Sequence, residues 1–185
     1  MPDHPNQLYS VEFCQADQSR LVDFSCGDET WSRHVTEWIR GSDVFSSMEK
    51  GTRVWLYETP EGEIVGFGSL GTSNWRWPPP RGQRTPIVLI PMLGIATRFH
   101  GQPPDPQWRY SRQIMSHLLA EAQVLAHEWP GEPDSRPAWL VLMVHQHNER
   151  AIRLYEQCGF ELIPGVTRRG DHLVMKLWLG ELPEA

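Results

Sequence analysis

Asn148-Glu149-Arg150-Ala151-Ile152-Arg153-Leu154-Tyr155-Glu156-Gln157-Cys158-Gly159-Phe160 follows closely on the apolar run Trp139–His145. The run has the length and continuous apolar character of a strand covered on both faces. The spacing after it predicts a short helix over Asn148–Cys158, with Ile152 and Tyr155 on related faces. Asn148 is a good helix cap, and Gly159 is a natural C′ residue because glycine tolerates the left-handed backbone. Phe160–Ile163 then reads as a further strand. Buried strand, capped helix, glycine stop and strand make an α/β unit, and the rest of the chain is read outward from it.

Upstream, Ser111–Glu128 carries one apolar stripe (Ile114, Met115, Leu118, Leu119, Ala122, Leu125) and predicts a helix that ends at Trp129-Pro130-Gly131. Pro86–Thr97 is nearly all apolar and reads as another buried strand, with the polar, Pro-rich loop His100–Arg109 after it. Arg53–Glu58 and Ile64–Leu70 are strand-like runs joined by Thr59-Pro60-Glu61-Gly62-Glu63, which predicts a hairpin. Thr72–Thr85, with Trp75-Arg76-Trp77-Pro78-Pro79-Pro80, reads as a loop. Leu8–Phe13 alternates as a first strand. Asp28–Arg40 repeats Trp31, Val35, Trp38 and Ile39 at helical spacing, with Asp28 as candidate cap and Gly41-Ser42 as the stop. His172–Leu179 is the last strand. The order β α β β β α β α β β implies one α/β or α+β domain over residues 1–185, built on a mixed sheet flanked by helices.

Composition narrows the function. The chain has 185 residues and a formal net charge of −6, against a broad phosphate-binding surface. Nine Trp and sixteen Pro without low complexity suggest a folded domain with stiff loops. Cys14, Cys26 and Cys158 form no CxxC pair, and the polar N-terminus is no secretory signal; free thiols in a reducing cytoplasm follow. The longest apolar run, Ile87–Ile95, is interrupted by Pro91 and too short to span a membrane. His145 and His147 lie two apart with no third ligand at suitable spacing, so no metal is expected.

The Asn148–Phe160 stretch resembles the C-terminal signature of the GCN5-related N-acetyltransferases: a strand, Asn, Ala three residues on, Tyr four further, then Gly-Phe. Met92-Leu93-Gly94-Ile95 and the residues after it look like that family's central strand and phosphate-binding loop. His100 takes the usual Arg/Gln position and Gly101 follows it. The chain then departs: the loop is longer, and Arg109 and Ser111 stand where the family has two close glycines. A pyrophosphate is held by free amides at a helix start, aided by the helix dipole. Ser111 could cap that helix, and Arg109 and Arg112 could supply charge-assisted bonds in place of glycine contacts. Phe24-Ser25-Cys26-Gly27, the Trp31 helix and Pro86–Ile95 also resemble acetyltransferase toxins of toxin–antitoxin pairs, which acetylate aminoacyl-tRNA.

The resemblance implies acetyl-CoA as cosubstrate and direct attack by an amine on its thioester. Backbone amides near Leu93, Gly94 and Ile95 would polarise the carbonyl. Asn148 and Ala151 would contact the cosubstrate, and Tyr155 would protonate the departing thiolate. Pro86–Thr97 contains no Asp or Glu, so the base would be Glu58 or Glu63 from the hairpin, or His145. The acceptor expected first is a small-molecule or peptide amine, recognised by Ser42–Gly51 and Thr72–Thr85. Charged tRNA ranks second because the chain is acidic, with Arg76, Arg81 and Arg84 as a local basic cluster. A non-catalytic acyl-CoA-binding module is the third reading, motivated by the altered loop. The family's habit implies a homodimer.

Overall fold

The computed structural model describes residues 4–77, 81–130, 135–163 and 170–180. Its elements are β1 (Tyr9–Glu12), α1 (Thr30–Arg40), α2 (Asp43–Met48), β2 (Arg53–Glu58), β3 (Ile64–Trp77), β4 (Gln83–Ile90), β5 (Leu93–Ile95), α3 (Tyr110–His127), β6 (Trp139–His145), α4 (Glu149–Gln157), β7 (Glu161–Leu162) and β8 (His172–Trp178), with 3-10 turns at Gln15–Leu21 and Thr97–Phe99. They fall into two compact units.

The first unit comprises Met1–Ser69 and Met92–Leu118. Its strands run in the order β1-β2-β3, and β5 pairs antiparallel with the first part of β3. The core joins Phe13, Leu21, Phe24, Trp38, Ile39, Val44 and Phe67. The α1 stripe works as its spacing implies: Trp38 stacks on Phe67 with centroids 5.8 Å apart. Gly66 and Gly68 face Ile114 and Leu118 of α3, whereas Gly94 faces Val35 of α1, so helices cover both faces of this part of the sheet.

The second unit comprises Leu70–Pro91 and Leu119–Ala185. Its strand order is β3-β4-β6-β8-β7. The β4–β6 pair is parallel and the others are antiparallel, giving a mixed sheet. Ile87, Val141, Ile163 and Val174 form an apolar cluster against which Trp75, Leu89 and Trp139 pack.

Several expectations are corrected. Thr72–Thr85 is not one loop. Strand β3 runs through Trp77 and pairs in register with β4, Trp77 opposite Gln83. Aromatic and β-branched residues favour this ladder. Pro86 is tolerated because β6 joins β4 only from Val88 onward. Pro78–Pro80 lie outside the described residues, as does Gly131 of the predicted helix stop. The expected strand Pro86–Thr97 is two strands broken at Pro91-Met92. Helix α1 starts at Thr30 after Glu29, which makes no side-chain cap bond, so Asp28 is not the cap. The Gly41-Ser42 stop is followed at once by α2, within the expected loop Ser42–Gly51.

Candidate active site

Three segments hold the residues expected to carry the chemistry, and each is built by its own local physics. The first is β5. Ala96 donates to the Val65 carbonyl at 2.8 Å and Ser69 to the Met92 carbonyl at 3.0 Å. An antiparallel ladder alternates, so Met92, Gly94 and Ala96 turn their peptide groups toward β3. The amides of Leu93 and Ile95 are directed away from it. The Gly94 N–H is thus turned into the ladder, contrary to the expectation that it faces a ligand, while of the two outward amides that of Ile95 lies against the Cys26 thiol. Gly94 matters for another reason: a Cβ there would lie 2.6 Å from Cys26 Sγ and 2.7 Å from the Phe67 ring. Cys26 is buried, and burial pushes its thiol up to about 11, so it packs as a small apolar group. The loop carrying Cys26 is anchored where Thr97 N–H donates to the Ser25 carbonyl at 2.9 Å.

The second segment is the loop after β5 and the start of α3. His100 turns back, and its Nε2 donates to the Ile95 carbonyl at 3.0 Å. Gly101 has φ +75, the left-handed backbone that favours glycine. Helix α3 begins at Tyr110, one residue earlier than expected, so Arg109 holds the cap position and Ser111 does not. The Arg109 carbonyl accepts from Arg112 and Gln113 at 3.0 and 3.1 Å. The Tyr110 amide donates to Gln102 O at 3.0 Å, leaving the Ser111 amide with no backbone acceptor among the described residues. Ser111 is half-buried; Arg109 and Arg112 are exposed beside it. A first-turn amide, a helix dipole and two exposed guanidiniums can hold a phosphate without close glycines.

The third segment is β6–α4. Asn148 Oδ1 accepts from Ala151 N–H at 3.2 Å, so both residues are engaged in the cap. At the other end Phe160 N–H donates to Tyr155 O and Gly159 N–H to Glu156 O, with Gly159 at φ +87, a Schellman stop. Tyr155 is buried, and burial raises its phenol above the ordinary value, which keeps the hydroxyl protonated. His145 lies cross-strand from His172, ring centroids 5.5 Å apart, and as close to His147. Partial desolvation first, then His172 and His147, lower its pKa, opposed by Asp171. These surroundings favour the neutral imidazole of His145. Its Nδ1 accepts the His147 amide at 3.3 Å. No group able to hold a metal ion occurs among the described residues.

The carboxylate candidates are occupied. Glu58 lies 2.8 Å from Arg20, and Glu63 is 3.5 Å from Arg98. Arg20, Glu63 and Arg98 line a cleft of about 420 Å³ with Phe24, Ala96 and Thr97. Arg76 and Arg84, expected in a loop, stand opposite each other on β3 and β4, both exposed. Trp75 is accounted for by packing. Sequence reasoning missed Ser69, whose hydroxyl binds both backbone groups of Met92; only the Pro91 interruption hinted at a break needing a side chain.

No family model matches the chain, and no curated protein does. Solved structures do. A tyrosine-to-phenylalanine mutant of KacT aligns with a TM-score of 0.68 at 14% identity, over 94% of this chain and 95% of that one. AtaTR bound with acetyl-CoA aligns with a TM-score of 0.67 at 15% identity, over 94% and 95%. AtaT complexed with acetyl-methionyl-tRNAfMet aligns with a TM-score of 0.63 at 18% identity, over 91% and 94%. The chain thus shares the fold of these solved structures, a mixed sheet with flanking helices, as expected from its sequence. No helix among the described residues is long and apolar enough to cross a membrane.

Proposed function

We propose that this protein is an acetyltransferase that moves the acetyl group of acetyl-CoA onto an amino group, with an aminoacyl-tRNA as acceptor. The observation that carries the reading is β5, paired among the described residues with β3 alone, with the Leu93 amide directed outward from β3 and the Ile95 amide beside it on the Cys26 thiol. A fixed outward N–H group suits an oxyanion. The Ser111 amide, Arg109 and Arg112 fit the pyrophosphate. The cytoplasm, where acetyl-CoA and tRNA are both present, is the proposed location.

In the reaction the amine nitrogen attacks the thioester carbon, the N–C bond forms and the C–S bond breaks. The Leu93 N–H stabilises the oxyanion. Tyr155 gives its proton to the departing thiolate; a thiolate in water-poor surroundings is itself more basic, which favours the transfer. His145 takes the proton lost by the amine, on the Nδ1 lone pair freed when the long bond from His147 opens. Glu58 and Glu63 are weaker choices because each already faces a guanidinium.

The charged-tRNA acceptor, second to small amines on sequence alone, moves ahead because AtaT was solved with acetyl-methionyl-tRNA and shares this fold. The opposed Arg76 and Arg84 supply a local positive pair despite the net charge of −6. That acidic balance favours the second reading, a small-molecule or peptide amine. A homodimer is part of the proposal, to be checked by sedimentation. The deciding experiment incubates the protein and labelled acetyl-CoA with aminoacyl-tRNA or with a panel of amines. Label in RNA, lost as salt rises, is expected. Label only in small amines moves the acceptor to the second reading. Acetyl-CoA binding with no transfer to anything makes the protein a non-catalytic binding module.

A further inference from the structure

The loop where this chain departs from its relatives' pattern is tied down from outside itself. Gln113, in the first turns of α3, uses its whole side-chain amide. Oε1 accepts from Leu8 N–H at 2.9 Å, and Nε2 donates to Asn6 O at 2.8 Å and to Trp108 O at 2.7 Å. One N–H and two carbonyls around the group fix which atom is oxygen. One side chain thereby joins the segment before β1, the loop and the helix. The same segment reaches the loop a second time: the His4 ring lies flat on Trp108, centroids 3.6 Å apart and planes parallel. His4 is itself held by its neighbours, since its Nδ1 accepts from Asn6 N–H at 3.2 Å and its carbonyl from Gln7 N–H at 2.8 Å.

Inside the loop, Gln102 donates to Phe99 O, Trp108 to Asp105 O and Gln107 N–H to Asp105 Oδ1. Those contacts shape the loop without fixing the Trp108–Arg109 peptide, which Gln113 and His4 do. Arg109 follows Trp108 directly and Ser111 lies two residues further on. A loop ordered before a ligand arrives does not lose entropy on binding.

We infer that Gln113 is a positioning residue which, through the N-terminal segment, holds the Pro103–Arg109 loop in the form that receives the phosphates of acetyl-CoA. The inference rests on the acetyl-CoA reading above.

The test uses the full chain with Gln113→Leu, which removes all three bonds, and Trp108→Ala, which removes only the stack and leaves α3 intact. Amide exchange over residues 102–110 reports the tie without any ligand, and calorimetry with acetyl-CoA reports its consequence. Exchange there is expected to rise at least about tenfold, the loss of one bond's protection. The acetyl-CoA Kd is expected to weaken about fivefold to twentyfold, an ordering cost of one or two side chains. The KM for acetyl-CoA should follow while kcat stays within about twofold, because no reacting atom is touched. Faster loop exchange with an unchanged Kd overturns the positioning role, as does unchanged exchange in both variants. If the unsubstituted protein keeps a protected loop but binds no acetyl-CoA, the underlying reading fails and the role falls with it.

Discussion

The hydroxyl of Ser69 donates to the Met92 carbonyl at 2.8 Å and accepts from the Met92 amide at 3.0 Å. Ser69 is fully buried. Met92 sits at the break between β4 and β5, where the ladder loses its regular amide partner, and the side chain replaces it. Ser69→Ala takes the hydroxyl partner from that part-buried amide, at a cost of about 1 kcal/mol. The expected outcome is a lower midpoint in urea with an unchanged m-value, together with reduced transfer, because β5 carries the Leu93 amide. An unchanged midpoint would mean that water serves the break equally well.

Tyr155→Phe removes the hydroxyl and little else, since Tyr155 also packs against Phe160 at 5.8 Å. As the proton donor, its loss should lower kcat by about 10²–10⁴-fold with acetyl-CoA affinity retained. Transfer at the unsubstituted rate would remove Tyr155 from the acid role.

The pH profile tests His145. A base works when unprotonated, and this imidazole is lowered by partial desolvation, then by His172 and His147. The acid limb of kcat/KM is therefore expected below the usual histidine value of about 6.5. In His172→Ala the like charge is gone, the His145 pKa rises, and the limb moves to higher pH. A limb that stays in place excludes His145.

Gly94→Ala places a methyl 2.6 Å from Cys26 Sγ and 2.7 Å from Phe67. Overpacking of this kind costs about 1–3 kcal/mol. Adding Cys26→Ala vacates one neighbour and should recover part of the loss, a coupling visible in a double-mutant cycle of denaturation midpoints. Strict additivity would show that the sheet yields elsewhere.

Arg109→Ala and Arg112→Ala should each weaken acetyl-CoA binding, by about 1.5–3 kcal/mol if the contact is charge-assisted. Calorimetry with either variant matching the unsubstituted protein takes that residue out of the phosphate site.

The α4 unit was legible because local chemistry and tertiary role agree: Asn148 caps, Gly159 takes the left-handed turn, and Tyr155 faces inward. The extent of β3 was not, because Trp75, Arg76 and Trp77 beside three prolines look like a loop until the pairing with β4 is known. The break at Pro91-Met92 hid in an apolar run whose period cannot show which peptides lack partners. Helix α2 spans six residues, too few for a periodic signal. The tie from Gln113 to Leu8 and Asn6 joins residues more than a hundred positions apart, beyond any local pattern.

The three cysteines differ in surroundings: Cys14 is exposed, Cys158 half-buried, and Cys26 buried with a thiol that ionises only at strongly alkaline pH. Thiolate, not thiol, attacks the disulfide dyes used to follow CoA release. Cys14 is open to such a dye by its exposure, whereas Cys26 will stay silent until the chain opens around it. With Cys14 and Cys158 both replaced by serine, slow colour that appears without an amine becomes a gauge of opening around β5 rather than of turnover.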